Sequence, residues 1–239
     1  MKIARFVDLP ACKSIFSHRS TFVLRSAEHY RRQETDRGDA EELRVIEVDG
    51  GSAEMNSFAL SCWTILDGDE PTEDEWKMFP DCAVAIISTP EKVTAYLTTA
   101  FEIQPRTSRD SAVGRRHPFS YILHGEVLYA DAVPGPITFD NIVAKTVFTK
   151  RKRFENQKEY RFALPFNLEP HAIDTYVFTK QPDYMEKCFA SPEIRRFPKE
   201  KATQLLRIIG EASADYGHFH RKKLDEIIAN ADDLFPDSV

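Results

Sequence analysis

The chain has 239 residues, 42% hydrophobic and 29% charged, with 38 Asp and Glu against 32 Lys and Arg for a formal net charge of -6. This length fits one or two domains and is enough to bury a core without disulfides or a structural metal, and the balance excludes a mostly disordered chain. Nine glycines are about 4% of the chain, against a usual value near 7%, and no G-x-G-x-x-G or G-x-x-x-x-G-K-[ST] run occurs, which argues against Rossmann and P-loop nucleotide sites.

Thr21 to Leu24 reads as a strand ending at Arg25, with Ser26 capping a short helix over Ala27 to Gln33. The segment from Asp36 to Glu42 is a polar acidic loop, and Leu43 to Val48 alternates as a strand does. Ser57 to Thr64 is a mostly apolar strand. Thr72 followed by Glu75 is a capping box leading into Trp76, and Cys82 to Ser88 is a buried strand. Thr89-Pro90 starts a helix, with Thr89 as cap and proline at its first position. Residues 104–118 form a basic polar loop. Strands are predicted over Phe119 to Tyr129, Ile142 to Phe148 and Glu159 to Pro165, and Ile173 to Thr179 is placed beside the last of these. Beyond residue 190 the period changes. Leu205, Ile208, Ile209, Ala212, Tyr216 and Phe219, then Leu224, Ile227, Ile228 and Ala231, fall at helical spacing.

Strict β-α-β-α alternation is absent, so the expected class is α+β: a mixed or antiparallel sheet with flanking helices over residues 1–190, and a C-terminal helical hairpin over 191–239 packed on it as one unit. The four cysteines show no C-x-x-C spacing and read as reduced thiols, so no metal site is expected from them. No apolar run approaches the roughly 18 residues of a membrane span, and the first residues do not resemble a signal peptide, so a cytoplasmic location is expected.

Three clusters carry polar chemistry. In the first, Arg25 stands at a strand end with Tyr30 and Arg31 on the helix after it, well placed to fork onto a phosphate or carboxylate. The carboxylates Asp36, Asp39, Glu41 and Glu42 follow at no recognised metal-ligand spacing. In the second, the two-residue period puts Ser57, Ala59, Ser61 and Trp63 on one face, a slot for a flat ring or simply a core strand with backbone-bonded hydroxyls. In the third, Lys150, Arg151, Lys152 and Arg153 lead into a strand on which Gln157, Glu159 and Arg161 point one way and Tyr160 and Phe162 the other. Glu159 would be held ionised by Arg161 or a nearby lysine, and Lys145 would face the same cleft from the preceding strand. A half-exposed strand with cross-strand ion pairs explains the same pattern. From Lys145 to Arg161 there are seven cations and two carboxylates, a positive segment inside a negative chain. The seven histidines show no H-E-x-x-H pattern, and no G-x-S-x-G occurs.

Phe22, Arg25, Ser26, Tyr30 and Arg31, the acidic loop, Ser57 to Trp63, Lys145, and Gln157 to Arg161 together resemble an uncharacterised family of bacterial and phage-associated proteins. The resemblance spans roughly residues 20–165, and Gln157-Lys158-Glu159-Tyr160-Arg161 is its sharpest part. More distantly, the order Arg25, Ser61, Gln157-x-Glu159 is similar to the Arg-Ser-Glu clade of ADP-ribosyltransferases, although that clade carries Ser-Thr-Ser where this chain has Ser61-Cys62. The resemblance implies NAD as substrate. Arg25 would hold its phosphate or ribose, Ser61 would support the site, and Glu159 would stabilise the oxocarbenium ion as nicotinamide leaves. Gln157 would address the acceptor, with Tyr30, Arg31, Trp63, Lys145 and Arg161 in supporting binding roles. A toxin or phage-defence effector would follow. Two other readings stand beside it. One is a nucleic-acid-acting effector, such as a nuclease, using Lys150, Arg151, Lys152 and Arg153 with Asp39, Glu42, Glu159 and a divalent metal. The other is a non-catalytic module that docks a partner protein through its C-terminal helices. The first reading requires Arg25, Ser61 and Glu159 to meet in one cleft.

Overall fold

The structure, a computed structural model, describes residues 1–8, 15, 22–26, 58–99, 103–106, 122–131, 142–165, 175–178 and 184–192. These residues form helices and antiparallel sheet, the coarse α+β class, and fall into two compact units interleaved along the chain.

The first unit draws on residues 1–21, 65–96 and 180–239. Strand β1 (Ile3–Val7) pairs antiparallel with β4 (Val84–Ser88), from Ile3 opposite Ser88 to Val7 opposite Val84. All five residues of β4 are buried, as an unbroken Val-Ala-Ile-Ile run demands when both sheet faces are covered. Its other edge takes β11 (Lys187–Ala190), a strand whose short, lysine-led sequence carries little strand signal. Over this sheet lies helix α1 (Glu73–Lys77), and the predicted capping box is present in both directions. The Thr72 hydroxyl accepts from the Glu75 amide at 3.2 Å, and a Glu75 carboxylate oxygen accepts from the Thr72 amide at 2.6 Å. The other Glu75 oxygen accepts from the Asp67 amide at 3.3 Å, so the buried carboxylate satisfies the loop before the helix as well. Trp76 packs edge-on against Phe6 at 5.0 Å in a core with Ala4, Leu66, Ala85, Ile87 and Phe189. Helix α2 (Pro90–Thr99) begins as predicted, with Thr89 accepting from the Val93 amide through its carbonyl.

The second unit draws on residues 22–64 and 97–179. Its sheet runs in the order β6 (Leu123–Glu126), β9 (Glu159–Pro165), β3 (Phe58–Ile65), β2 (Phe22–Ser26), β10 (Thr175–Phe178), β5 (Ile103–Arg106), antiparallel throughout. A small parallel pair, β7 (Leu128–Tyr129) with β8 (Thr149–Lys150), stands beside it. The β3–β9 register runs from Phe58 opposite Pro165 to Thr64 opposite Glu159 and fixes the faces of the sheet. One face carries Leu60, Cys62, Thr64, Glu159, Arg161 and Ala163, and the other Ala59, Ser61, Trp63, Tyr160, Phe162 and Leu164.

Several expectations need correction. Ile142 to Phe148 is not a strand: Ile142–Val147 is helix α3. Its β-branched residues favour a strand locally, but consecutive Thr146 and Val147 are both buried, which a helix achieves and an alternating strand facing solvent does not. Val147 packs against Phe58, Leu60 and Ala163, and that packing overrides propensity. Residues 104–106, the start of the segment read as a loop over 104–118, belong to β5. Of the strand expected over Phe119 to Tyr129, the described residues form two, β6 and β7, with a break at Val127. Strand β10 pairs with β2 and β5 rather than with β9. The helix at 27–33, the strand at 43–48 and the C-terminal hairpin lie outside the described residues. Among the described residues no helix is long and apolar enough to cross a membrane.

Candidate functional site

The polar centre of the second unit sits where β9 begins. A 3-10 helix over Lys152–Gln157 follows β8, and Lys158 turns the chain into β9 with a left-handed backbone, φ 43°. That left-handed residue breaks the two-residue period, so Gln157 is not on the strand at all. It nevertheless reaches Glu159 through a shared lysine. Lys150 Nζ donates to Gln157 Oε1 at 2.9 Å and to Glu159 Oε2 at 3.0 Å.

Arg161 completes the arrangement. Its Nε donates to Glu159 Oε1 at 2.6 Å, its Nη2 to Oε2 at 3.3 Å, and its Nη1 to the Val147 carbonyl at 2.7 Å. The fork on the carboxylate is the bidentate geometry that suits a guanidinium, and the third bond ties the strand to the end of α3. All three charges are buried, with Glu159 4% exposed, Lys150 6% and Arg161 0%. The Glu159 amide donates to the Tyr129 hydroxyl at 2.7 Å, and its carbonyl accepts from the Val127 amide. Burial pushes the Glu159 carboxyl up, but the charges of Arg161 and Lys150 and hydrogen bonds from Arg161 and Cys62 outweigh it and bring the group down to about 2. Burial is also the main cause that pushes the Tyr129 phenol well above its ordinary value.

Glu159 is therefore ionised and committed. Both oxygens accept from cations, and the Cys62 thiol adds a third donor. Acting as a nucleophile, base or metal ligand would require it to give up these bonds and strand two buried cations. The 3-10 helix above this cluster is organised around one ring. Phe154 is buried, with Lys150 Nζ at 4.9 Å, the Arg151 guanidinium carbon at 5.9 Å and the Arg153 guanidinium carbon at 4.6 Å from its centroid. Lys152, Arg153 and Lys158 are exposed and Arg151 is half-exposed. Leu128, on the neighbouring β7, is 52% exposed.

The positive segment thus separates into two layers. Lys150 and Arg161 with Glu159 leave one positive charge below the surface. Lys145, Arg151, Lys152, Arg153 and Lys158 against the exposed Glu155 leave four upon it. Lys150, expected among the nucleic-acid contacts, is instead buried beneath them. Lys145 is half-exposed on helix α3 rather than on a strand.

The other candidates stand apart. The Ser61 hydroxyl is fully buried on the face opposite Glu159, where it accepts from the Trp63 indole at 3.1 Å. The slot expected beside Trp63 is filled: Phe22 stacks at 6.3 Å and Phe162 meets the indole edge at 6.2 Å. Arg25 is half-exposed and opposite Leu60, hence on the Glu159 face. Four residues along the strands and two strands across separate the pair, roughly 16 Å between their Cα atoms. Leu60, Ala163 and Val147 pack together on that face. Arg25, Ser61 and Glu159 do not meet in one cleft. Tyr30, Arg31, Ser57 and the carboxylates Asp36 to Glu42 lie outside the described residues. Among the described residues no three His, Cys, Asp or Glu side chains gather to hold a metal.

Sequence reasoning missed Tyr129, Cys62 and Phe154 as parts of this centre. Cys62 shares the face of Arg161 only through the β3–β9 register, and nothing in the chain order announces that register. The comparisons with family models, curated proteins and solved structures found no match to this chain.

Proposed function

We propose that this chain binds the phosphodiester backbone of nucleic acid through the basic 3-10 helix and its left-handed cap, using Lys152 and Arg153 with Arg151 and Lys158 beside them. The observation that supports this reading is the separation of roles around residue 159: the carboxylate is spent on buried partners, while the cations following Lys150 stand at the surface around a fixed ring. The net charge of -6 does not oppose this strongly at physiological salt, where fields fade over about 8 Å and a local cluster dominates. Phe154 is buried and so offers no face for a base to stack on; the contacts are to phosphate and carry no sequence preference.

The test is a salt titration of binding to a fluorescent oligonucleotide. Each phosphate contact contributes a slope of about -0.9 for a duplex and about -0.7 for a single strand in log K against log salt. Two to four contacts on a duplex give about -2 to -4, and Lys152→Ala with Arg153→Ala removes about two units of that slope. Binding that ignores salt, or no binding at low salt, overturns the reading.

A second reading keeps the NAD-cleaving, ADP-ribosyltransferase-like activity. It is supported by Glu159 being held ionised with Gln157 on the same ammonium, the chemical state that stabilising an oxocarbenium ion requires. It has to do without Ser61, which is on the other face, and without Arg25 beside Glu159. Nicotinamide release from labelled NAD, with cell extract supplying acceptors, decides it; the absence of release removes it.

A further inference from the structure

We infer that Lys150 and Gln157 form a clasp that pre-shapes the basic helix for phosphate, an inference that rests on the nucleic-acid reading above. Lys150 precedes the helix and Gln157 is its last residue, so the 2.9 Å bond between their side chains closes the segment that carries Arg151, Lys152 and Arg153. The same ammonium is fixed from below by Glu159 at 3.0 Å, and Glu159 is fixed by Arg161, which is bonded to the Val147 carbonyl at the end of α3. The backbone bonds of a 3-10 helix are tight i to i+3 turns, and at its two ends the Phe154 amide donates to the Arg151 carbonyl and the Lys158 amide to the Glu155 carbonyl. A short 3-10 segment has weak bonds of this kind and does not persist alone. It also brings the Arg151 and Arg153 guanidiniums near one ring, which attracts each of them while their like charges repel one another. The clasp holds this gathering in place before any ligand arrives. A site ordered in advance loses less freedom on binding than one ordered by the ligand.

Lys150 therefore acts as a positioning residue and touches no phosphate. Gln157 gives the cleanest test, because Gln157→Leu opens the clasp without changing any charge. Lys150→Met opens it from the other side and leaves Glu159 and Arg161 as a neutral buried pair, so the sheet beneath stays compensated. Lys152→Ala serves as the control for a true phosphate contact.

The experiment combines amide hydrogen exchange at Phe154 and Lys158 with salt titration of oligonucleotide binding by the full chain. With the clasp, Gln157→Leu and Lys150→Met speed exchange at both amides about tenfold, the equivalent of one weak bond lost. They also weaken binding several-fold and leave the salt slope unchanged. Lys152→Ala leaves exchange unchanged and lowers the duplex slope by about 0.9. The inference is overturned by unchanged exchange in Gln157→Leu, by faster exchange without weaker binding, or by a slope in Lys150→Met that falls as it does in Lys152→Ala. Failure of the unaltered chain to bind at all overturns the nucleic-acid reading instead, and the exchange rates then still report whether the clasp holds the helix.

Discussion

Ser61 and Glu159 lie on neighbouring strands with their side chains on opposite faces of the sheet, because Ser61 is opposite Phe162 and Glu159 is opposite Thr64. Residues an odd number apart on a strand cannot share a face while the pleat is regular. The hydroxyl of Ser61 is used within the core, accepting from the Trp63 indole at 3.1 Å. Ser61→Ala leaves that buried donor without its acceptor and is expected to cost about 1–3 kcal/mol. A chemical denaturation midpoint measures this. Oligonucleotide binding and any nicotinamide release should be unchanged per folded molecule, and loss of either at intact stability would place Ser61 in a site after all.

The cluster around Glu159 predicts an asymmetry between its members. Glu159→Ala leaves the Lys150 and Arg161 charges buried without a carboxylate, and breaking a buried pair in this way costs about 3–5 kcal/mol. Lys150→Met leaves Glu159 with the Arg161 fork and an apolar chain of similar length, so its cost is expected to be well below that. Urea denaturation of both variants checks the order. Equal losses would show that Lys150 supplies as much of the compensation as the bidentate arginine does. The same asymmetry makes Glu159→Ala a poor probe of activity, since a variant that unfolds loses every function.

The Thr72 cap of α1 is a local device and carries a local prediction. Thr72→Ala removes the acceptor for the Glu75 amide, and such a change costs about 1 kcal/mol. A thermal scan reads it as a small drop in the midpoint. Glu75→Ala should cost more, because the same buried carboxylate also accepts from the amides of Thr72 and Asp67.

The contrast between this cap and the Glu159 centre shows what could be read from residue order. The Thr72 to Glu75 box, the Thr89-Pro90 start and the Glu159 to Pro165 strand depend on residues within a few positions of one another, and all three are present. The mutual placement of Lys150, Gln157, Glu159 and Arg161 was also near in sequence, and their proximity follows from it. What failed depended on partners far along the chain. Ile142 to Val147 has strand-like residues but becomes helix because Val147 covers Phe58 and Ala163. Spacing alone makes Gln157 a strand neighbour of Glu159, but Lys158 stands between them with a left-handed backbone. Residue order shows Lys150, Arg151, Lys152 and Arg153 as one basic run, and only the tertiary fold distinguishes Lys150 beneath the surface from Lys152 and Arg153 on it.

Acid should expose the Glu159 pairing directly. The folded carboxyl is depressed to about 2, whereas an unfolded glutamate titrates near its ordinary 4.5. A depressed group contributes stability that is fully present above the unfolded value and is lost as pH falls through the folded one, because the unfolded chain takes up the proton first. The loss should therefore run from about pH 5 down to about pH 2. Glu186 adds to the same slope, since burial raises it but bonds to Lys2 and Lys92 outweigh that and lower it. Glu159→Gln isolates the first contribution. Its destabilisation relative to the unaltered chain should be greatest at neutral pH and shrink steadily from about pH 5 to about pH 2, as the carboxyl of the unfolded chain takes up a proton while the folded one is still ionised. Denaturation midpoints taken across this range test it, and a difference that stays constant down to pH 2 would mean that the carboxyl titrates alike in the folded and unfolded chain, so that its buried partners do not depress it.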